Sequence, residues 1–347
     1  SLVLGTINLL IVYIFRTSIA GWQFADDESG KTMFLQMFVF LPLILMSMTF
    51  PIFLQGQGRY RSYTISQLLP LVFQTGILAL SLVSKLSFQT VLLAQIAYWC
   101  VMAATGIINS VTMKYHPIID PALFTVFSKL AVNMFPLILL QYGLARFAVL
   151  AGSHYLAPAD LGHFIVASNL AEALSIVYTS LSPIIFSQSL QQRSDINPLF
   201  QTIRFSNMAM VLILLIMLSA GKPIFLYIFG NSYEQSWPLL MLTFPGVVMH
   251  GISVLLINYL IASEMTSRVL FVYLTGLFVL ISSSTILCPA YGGPGLCSAL
   301  ALSSLTTLVT SSLLIKRKSN YCIYSLFIPK QEDWLIIKKL AVKKREL

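Results

Sequence analysis

Residues 237–262 read WPLLMLTFPGVVMHGISVLLINYLIA, a run with no Asp, Glu, Lys or Arg in it. As a helix it would be roughly 39 Å long at 1.5 Å per residue. A bilayer's hydrocarbon core is only about 30 Å thick and needs about 20 apolar residues to cross. Outward from this run, similar stretches recur along nearly the whole chain. Ten helices are expected, at approximately 2–20, 33–54, 62–84, 88–111, 122–150, 160–187, 205–228, 237–262, 268–288 and 293–315. Between them lie polar breakers such as Asp26-Asp27-Glu28-Ser29-Gly30, Gln55-Gly56-Gln57-Gly58 and Gln191-Gln192-Arg193-Ser194-Asp195, which return the backbone to water or the interface.

Composition agrees with that pattern. Of the 347 residues 57% are hydrophobic and 10% charged, whereas a soluble domain carries about 25% charged residues. The fold class expected is all-α, a polytopic membrane helical bundle.

The net charge of +9 could suggest nucleic acid, but its placement argues otherwise, because nine of the 21 Lys and Arg follow residue 315. Alternating the loops between two sides puts Arg59, Arg61, Lys114, Arg193, Arg204, Arg268 and the nine tail charges together, and leaves Lys31, Lys85 and Lys222 opposite. The positive-inside rule makes the richer side cytoplasmic. Both ends of the chain are therefore expected inside, the C-terminal tail included, in a multi-pass protein of the cell inner membrane. No nucleic-acid partner is expected.

The segment 112–121 separates four spans from six. The expected organisation is an N-terminal lobe at 1–115, a C-terminal lobe at 116–315 and a basic tail at 316–347. Two equal bundles would require two further helices ahead of Ser1, and the start, without an initiator Met, reads as a truncation. Cys100, Cys288, Cys297 and Cys322 are scattered and define neither a metal site nor a disulfide framework. No GxSxG, HExxH or phosphate-binding glycine loop occurs, and nothing calls for a cofactor.

Ionisable residues inside spans are costly and usually face a cavity or a partner. Here they are Arg16, Arg146, Lys129 and Glu172. Ser168, Asn169, Glu172, Ser175 and Thr179 follow helical spacings of three and four, which puts a polar stripe on one face of the sixth span. Glu172 has two readings, a structural one, either protonated or paired with an arginine to lock two helices together, or a cavity wall meeting substrate or a coupling ion. Arg16 and Arg146 either snorkel to the outer interface or furnish an electropositive cavity suited to phosphate. Lys129 is an interfacial anchor or a lipid-headgroup contact. Pro183 reads as a kink, His163 as a solvated group at a helix start, and Ser282–Thr285 with Ser303–Thr307 as small polar residues that let helices approach closely.

In the C-terminal half, Ala157-Pro158-Ala159-Asp160-Leu161-Gly162-His163-Phe164 and Ala167-Ser168-Asn169-Leu170-Ala171-Glu172 resemble a segment of the Wzx-type O-antigen flippases. Gly221-Lys222-Pro223 followed by Phe229-Gly230-Asn231-Ser232-Tyr233 is similar to a later one, and Asn258-Tyr259-Leu260-Ile261-Ala262 and Pro289-Ala290-Tyr291-Gly292-Gly293-Pro294-Gly295 keep the order. The likeness covers about residues 120–315. It implies the multidrug/oligosaccharidyl-lipid/polysaccharide exporter fold, two six-helix lobes around a cavity that opens to either side in turn. The function implied is transport, without enzymatic chemistry, of an undecaprenyl-pyrophosphate-linked oligosaccharide. Arg16, Arg146 and Lys129 would bind the substrate's pyrophosphate, and the stripe from Ser168 to Thr179 would line the cavity or couple an ion. The family usually has an acid after this arginine, where the present chain has Phe147. Membrane lipids, and a polymerase and chain-length regulator of the same pathway, are the expected partners. The competing readings are a drug/cation antiporter of the same fold and a polymerase or acyltransferase of the same pathway.

Overall fold

The computed structural model describes Ser47, Leu54 and residues 59–83, 88–111, 121–191 and 196–316. Among these residues every regular element is a helix: α1 (Tyr60–Val83), α2 (Phe88–Val111), α3 (Pro121–Tyr155), α4 (Pro158–Leu174), α5 (Ile176–Thr179), α6 (Ser182–Gln191), α7 (Asn197–Ile216), α8 (Lys222–Phe229), α9 (Ser236–Ala262), α10 (Thr266–Tyr291) and α11 (Gly293–Lys316). A π-helical turn, Met217–Gly221, joins α7 to α8, and a 3-10 turn, Asn231–Tyr233, leads towards α9. Grouped by continuity, they give eight spans long and apolar enough to cross a membrane among the described residues. These correspond to the third through tenth runs of the sequence. The first run, the second apart from Ser47 and Leu54, the segment 112–120 and residues 317–347 of the tail lie outside the described residues.

Proline sets several helix starts. Pro158 and Pro198 occupy first-turn positions of α4 and α7, where the missing N–H has no intrahelical partner to lose. The turn between α10 and α11 is a single residue, Gly292, at φ 62° and ψ −135°. That conformation is open almost only to glycine.

The chain divides into two compact units, Ser1–Ile118 and Ile119–Leu347. In the first, α1 and α2 pack together, and Gln74 Nε2 donates to Gln95 Oε1 at 2.7 Å. That amide pair satisfies two polar groups on otherwise apolar helices. In the second unit α9 is the central helix, with 61% of its most apolar stretch buried against 11% to 44% in the other spans. It packs on α4, α6 and α11. Helices α10 and α11 form an antiparallel hairpin, closed by Ser303 Oγ donating to the Gly276 carbonyl at 2.8 Å. Ser284, Ser303, Thr307 and Ser311 are buried, because small side chains are what permit close packing where no hydrophobic force acts between helices.

Three details differ from the sequence reading. The run expected as one helix over 160–187 is three pieces, broken at Ser175 and again at Ser180–Leu181. Ser175 Oγ donates to the Glu172 carbonyl at 2.7 Å, diverting a backbone acceptor, and Pro183 offers no N–H to the Thr179 carbonyl. Arg204, assigned to a loop, lies inside α7 and is buried, since that helix begins at Asn197, ahead of the apolar run. His163 is half-buried rather than solvated: its Nδ1 lies 3.3 Å from Ser236 Oγ and its ring packs edge-on against Tyr233.

Lys222 Nζ meets Glu234 Oε1 at 2.7 Å between α8 and the start of α9. Hydrogen bonding and charge from Lys222 hold the Glu234 carboxyl below its ordinary value. Any stabilisation from this exposed pair is therefore present above the unfolded carboxyl's pKa and is lost as pH falls through the lowered folded value. Carbon-13 NMR of labelled glutamate in micelles should find Glu234 titrating low, and returning upward in Lys222→Ala. A second expectation concerns the α10–α11 turn, where Gly292→Ala should lower stability by roughly 1–3 kcal/mol. An unchanged denaturation midpoint in detergent would contradict the strain assigned to that residue.

Candidate functional site

The polar residues of the second unit gather around the interrupted span α4–α5–α6. Arg146 of α3 places a guanidinium nitrogen 3.9 Å from the Glu172 carboxylate of α4, with both side chains more than half exposed within the unit. This is a Coulombic contact longer than a hydrogen bond, so the guanidinium keeps donors unused. His250 of α9 stands at a similar depth, since α4 and α9 pack together and His163 and Ser236 meet at their starts. Glu172 and His250 each lie about 21 Å along the axis from the start of their helices, deep in their spans. An acid, a guanidinium and an imidazole from three helices thus share one region of the bilayer. Together they can bind an anion through Arg146, a cation or proton through Glu172, and exchange partners between the two.

Of the stripe residues, Ser168 is half-buried and Asn169 and Glu172 are exposed, all on α4. Ser175 sits at the break, its hydroxyl turned to backbone, and Thr179 belongs to α5 beyond it. The stripe is therefore stepped rather than straight. Lys129 is exposed on α3, about 25 Å along that helix from Arg146, and the structure does not bring the two together. Arg16 lies outside the described residues.

His250 was not singled out in the sequence. Its signal was present: a single imidazole in a run otherwise free of ionisable groups, followed by Gly251. Gly251 has a structural task. A Cβ there would lie 2.1 Å from Tyr178 Cδ2 and 2.4 Å from Cγ, so the Tyr178 ring occupies the space a side chain would need. The ring is wholly buried, and its hydroxyl donates to Asn207 Oδ1 of α7 at 2.7 Å. On the other side of the break, Asn258 Nδ2 of α9 donates to Ser182 Oγ at 2.6 Å. The broken span is thus braced on both sides of its second joint against α7 and α9.

Among solved structures, the chain is similar to the lipid II flippase MurJ in an inward closed conformation, with a TM-score of 0.71 and 14% identity over 93% of this chain and 71% of that one. The chain shares the fold of that protein. A second likeness, to a point mutant of the MATE transporter VcmN of Vibrio cholerae, has a TM-score of 0.71 and 17% identity, and covers 92% of this chain and 78% of that one. No family model matches the sequence, and no curated protein is recognisably similar to it. At these identities the likeness is one of fold, and it supports the exporter architecture on structure rather than on sequence.

The brace predicts a graded response. Tyr178→Phe leaves the Asn207 acceptor without its donor and should cost about 1 kcal/mol. Gly251→Val forces the ring aside and should cost about 1–3 kcal/mol as overpacking does. Thermal unfolding in detergent should rank the two in that order, and equal midpoints for Gly251→Val and the parent would sink the packing argument.

Proposed function

We propose that this protein carries a lipid-linked, pyrophosphate-bearing oligosaccharide, such as an O-antigen or related surface-polysaccharide unit, from the cytoplasmic to the outer leaflet of the inner membrane. The observation that carries the reading is the Arg146–Glu172 pair within the spans of a chain that folds like a lipid flippase. A pyrophosphate entering a low-dielectric region needs fixed positive charge, and a guanidinium supplies it in forked form.

Arg146 is held only loosely by Glu172, so an incoming phosphate competes for it. Glu172, released, loses its counter-charge. Substrate occupancy is thereby converted into a changed attraction between α3 and α4, which is the differential contact that alternating access requires. Arg16 adds counter-charge in the first lobe, Lys129 receives the headgroup nearer the cytoplasmic side, and the polar groups of α4 and α5 line the sugar path. The lobes are 1–115 and 116–315, with the basic tail at 316–347 on the cytoplasmic side. Delivered product would pass to a polymerase and its chain-length regulator. The protein acts as a carrier and makes or breaks no covalent bond.

A second reading, cation-coupled drug efflux, draws on Glu172 as the acid and on the likeness to a MATE transporter. One experiment separates the two. In cells lacking their own flippase, Arg146→Ala and Glu172→Gln in the full-length protein should each slow the appearance of surface polysaccharide by roughly 10–100-fold, the weight of one charged hydrogen bond. Lipid-linked oligosaccharide should accumulate inside. Normal surface polysaccharide from both variants, with lost resistance to cationic dyes, would replace this reading by the second.

A further inference from the structure

Between α7, α9 and α11 lies a cavity of about 570 Å³. Asn207 and Val211 of α7, Phe244 and Val248 of α9, and Leu305 and Ser312 of α11 contribute to its wall, which includes no charged side chain. Val211 and Leu305 are exposed at 57% and 41%, so the cavity opens at the apolar surface of the unit. A sugar or a phosphate would find no counter-charge here.

One wall group is chemically unfinished. Ser312 is 5% exposed, and its hydroxyl is buried without a hydrogen-bond partner. The neighbouring hydroxyls behave otherwise, since Thr310 and Ser311 donate to the carbonyls of Thr306 and Thr307 at 2.7 Å. Ser312 lies about 6 Å along the helix from Lys316, the exposed basic end of the span, and at i and i+4 the two share a helix face. The cavity therefore begins near the border of the hydrocarbon core and runs to Phe244 and Val248, midway along α9. A cavity of about 150 Å³ holds one benzene, so this one has room for an aliphatic chain of roughly 16–20 carbons.

We propose that this cavity is a binding site for one acyl chain of a glycerophospholipid. Its ester carbonyl accepts from Ser312 Oγ, and its phosphate lies against Lys316. An unpaired donor at the depth of the ester, an uncharged apolar sleeve leading inward and a cation one turn outward match that molecule in order. The site lies apart from the Arg146–Glu172 pair and does not depend on the transported substrate.

The test uses the full-length protein in nanodiscs containing phosphatidylglycerol with a diazirine near the end of one acyl chain, photolysed and mapped by peptide mass spectrometry. Label should concentrate on peptides of α7, α9 and α11. Val211→Trp, which plugs the mouth from an exposed position, should remove that concentration while leaving label elsewhere unchanged. Ser312→Ala should reduce it roughly fivefold, the worth of an ordinary hydrogen bond. Phe278→Trp, at an exposed position on α10, should change nothing. Label spread evenly over all apolar helices, or unaffected by Val211→Trp in a monodisperse preparation, would overturn the proposal. So would preferential labelling of these peptides by a diazirine polyprenyl phosphate in competition with the phospholipid, since the site would then belong to an isoprenoid tail.

Discussion

A peptide group in hydrocarbon has no water to bond, so its N–H and C=O must be satisfied within the protein. That constraint makes the chain helical wherever it is described, and it makes the break between Ser175 and Leu181 the most demanding feature of the second unit. The break is tolerated because serine hydroxyls take up some of the carbonyls there and because Tyr178 wedges the short α5 against Gly251 and Asn207. The polar cluster follows from this arrangement. Glu172 stands three residues before the break at Ser175, with the Arg146 guanidinium 3.9 Å away.

The long apolar runs made the helices readable before any coordinates. The stretch 237–262 became α9, the helix around which the second unit is built, and each later run found its span within a few residues. What escaped was anything decided by a partner distant in sequence. Ser175 and Pro183 are ordinary residues in a string, and their combined effect on a single span appears only when the carbonyls they leave behind are counted. Arg204 looked like loop because charge was taken to mark water, while the helix had already begun at Asn197. The meeting of Arg146 with Glu172 was one of two readings open to that acid, and a sequence cannot say which helices lie side by side. His250 was overlooked for the same reason, since one imidazole on an apolar run acquires meaning only from the carboxylate opposite.

Electrostatics divides by depth. At the end of the second unit where α8 meets α9, Lys222 and Glu234 form a short pair in full contact with solvent, where such pairs contribute little. Within the spans, Arg146 and Glu172 are further apart, at 3.9 Å. A tight pair there would be a structural lock, while a loose one leaves the arginine with valence to spare.

The one-residue turn at Gly292 carries a consequence for how the chain is made. From Val269 through Ile315 there is no Asp, Glu, Lys or Arg, and α10 and α11 fill almost all of that interval. Two antiparallel helices with an uncharged tip can leave the ribosome's membrane machinery as a preformed pair, because no ion has to be dragged across the bilayer to place the far end. The polar backbone of the tip is spent on a single glycine. Insertion of this hairpin thus moves no ionised side chain across the bilayer, and the cations that flank it, Arg268 and Lys316, sit at the end away from the tip.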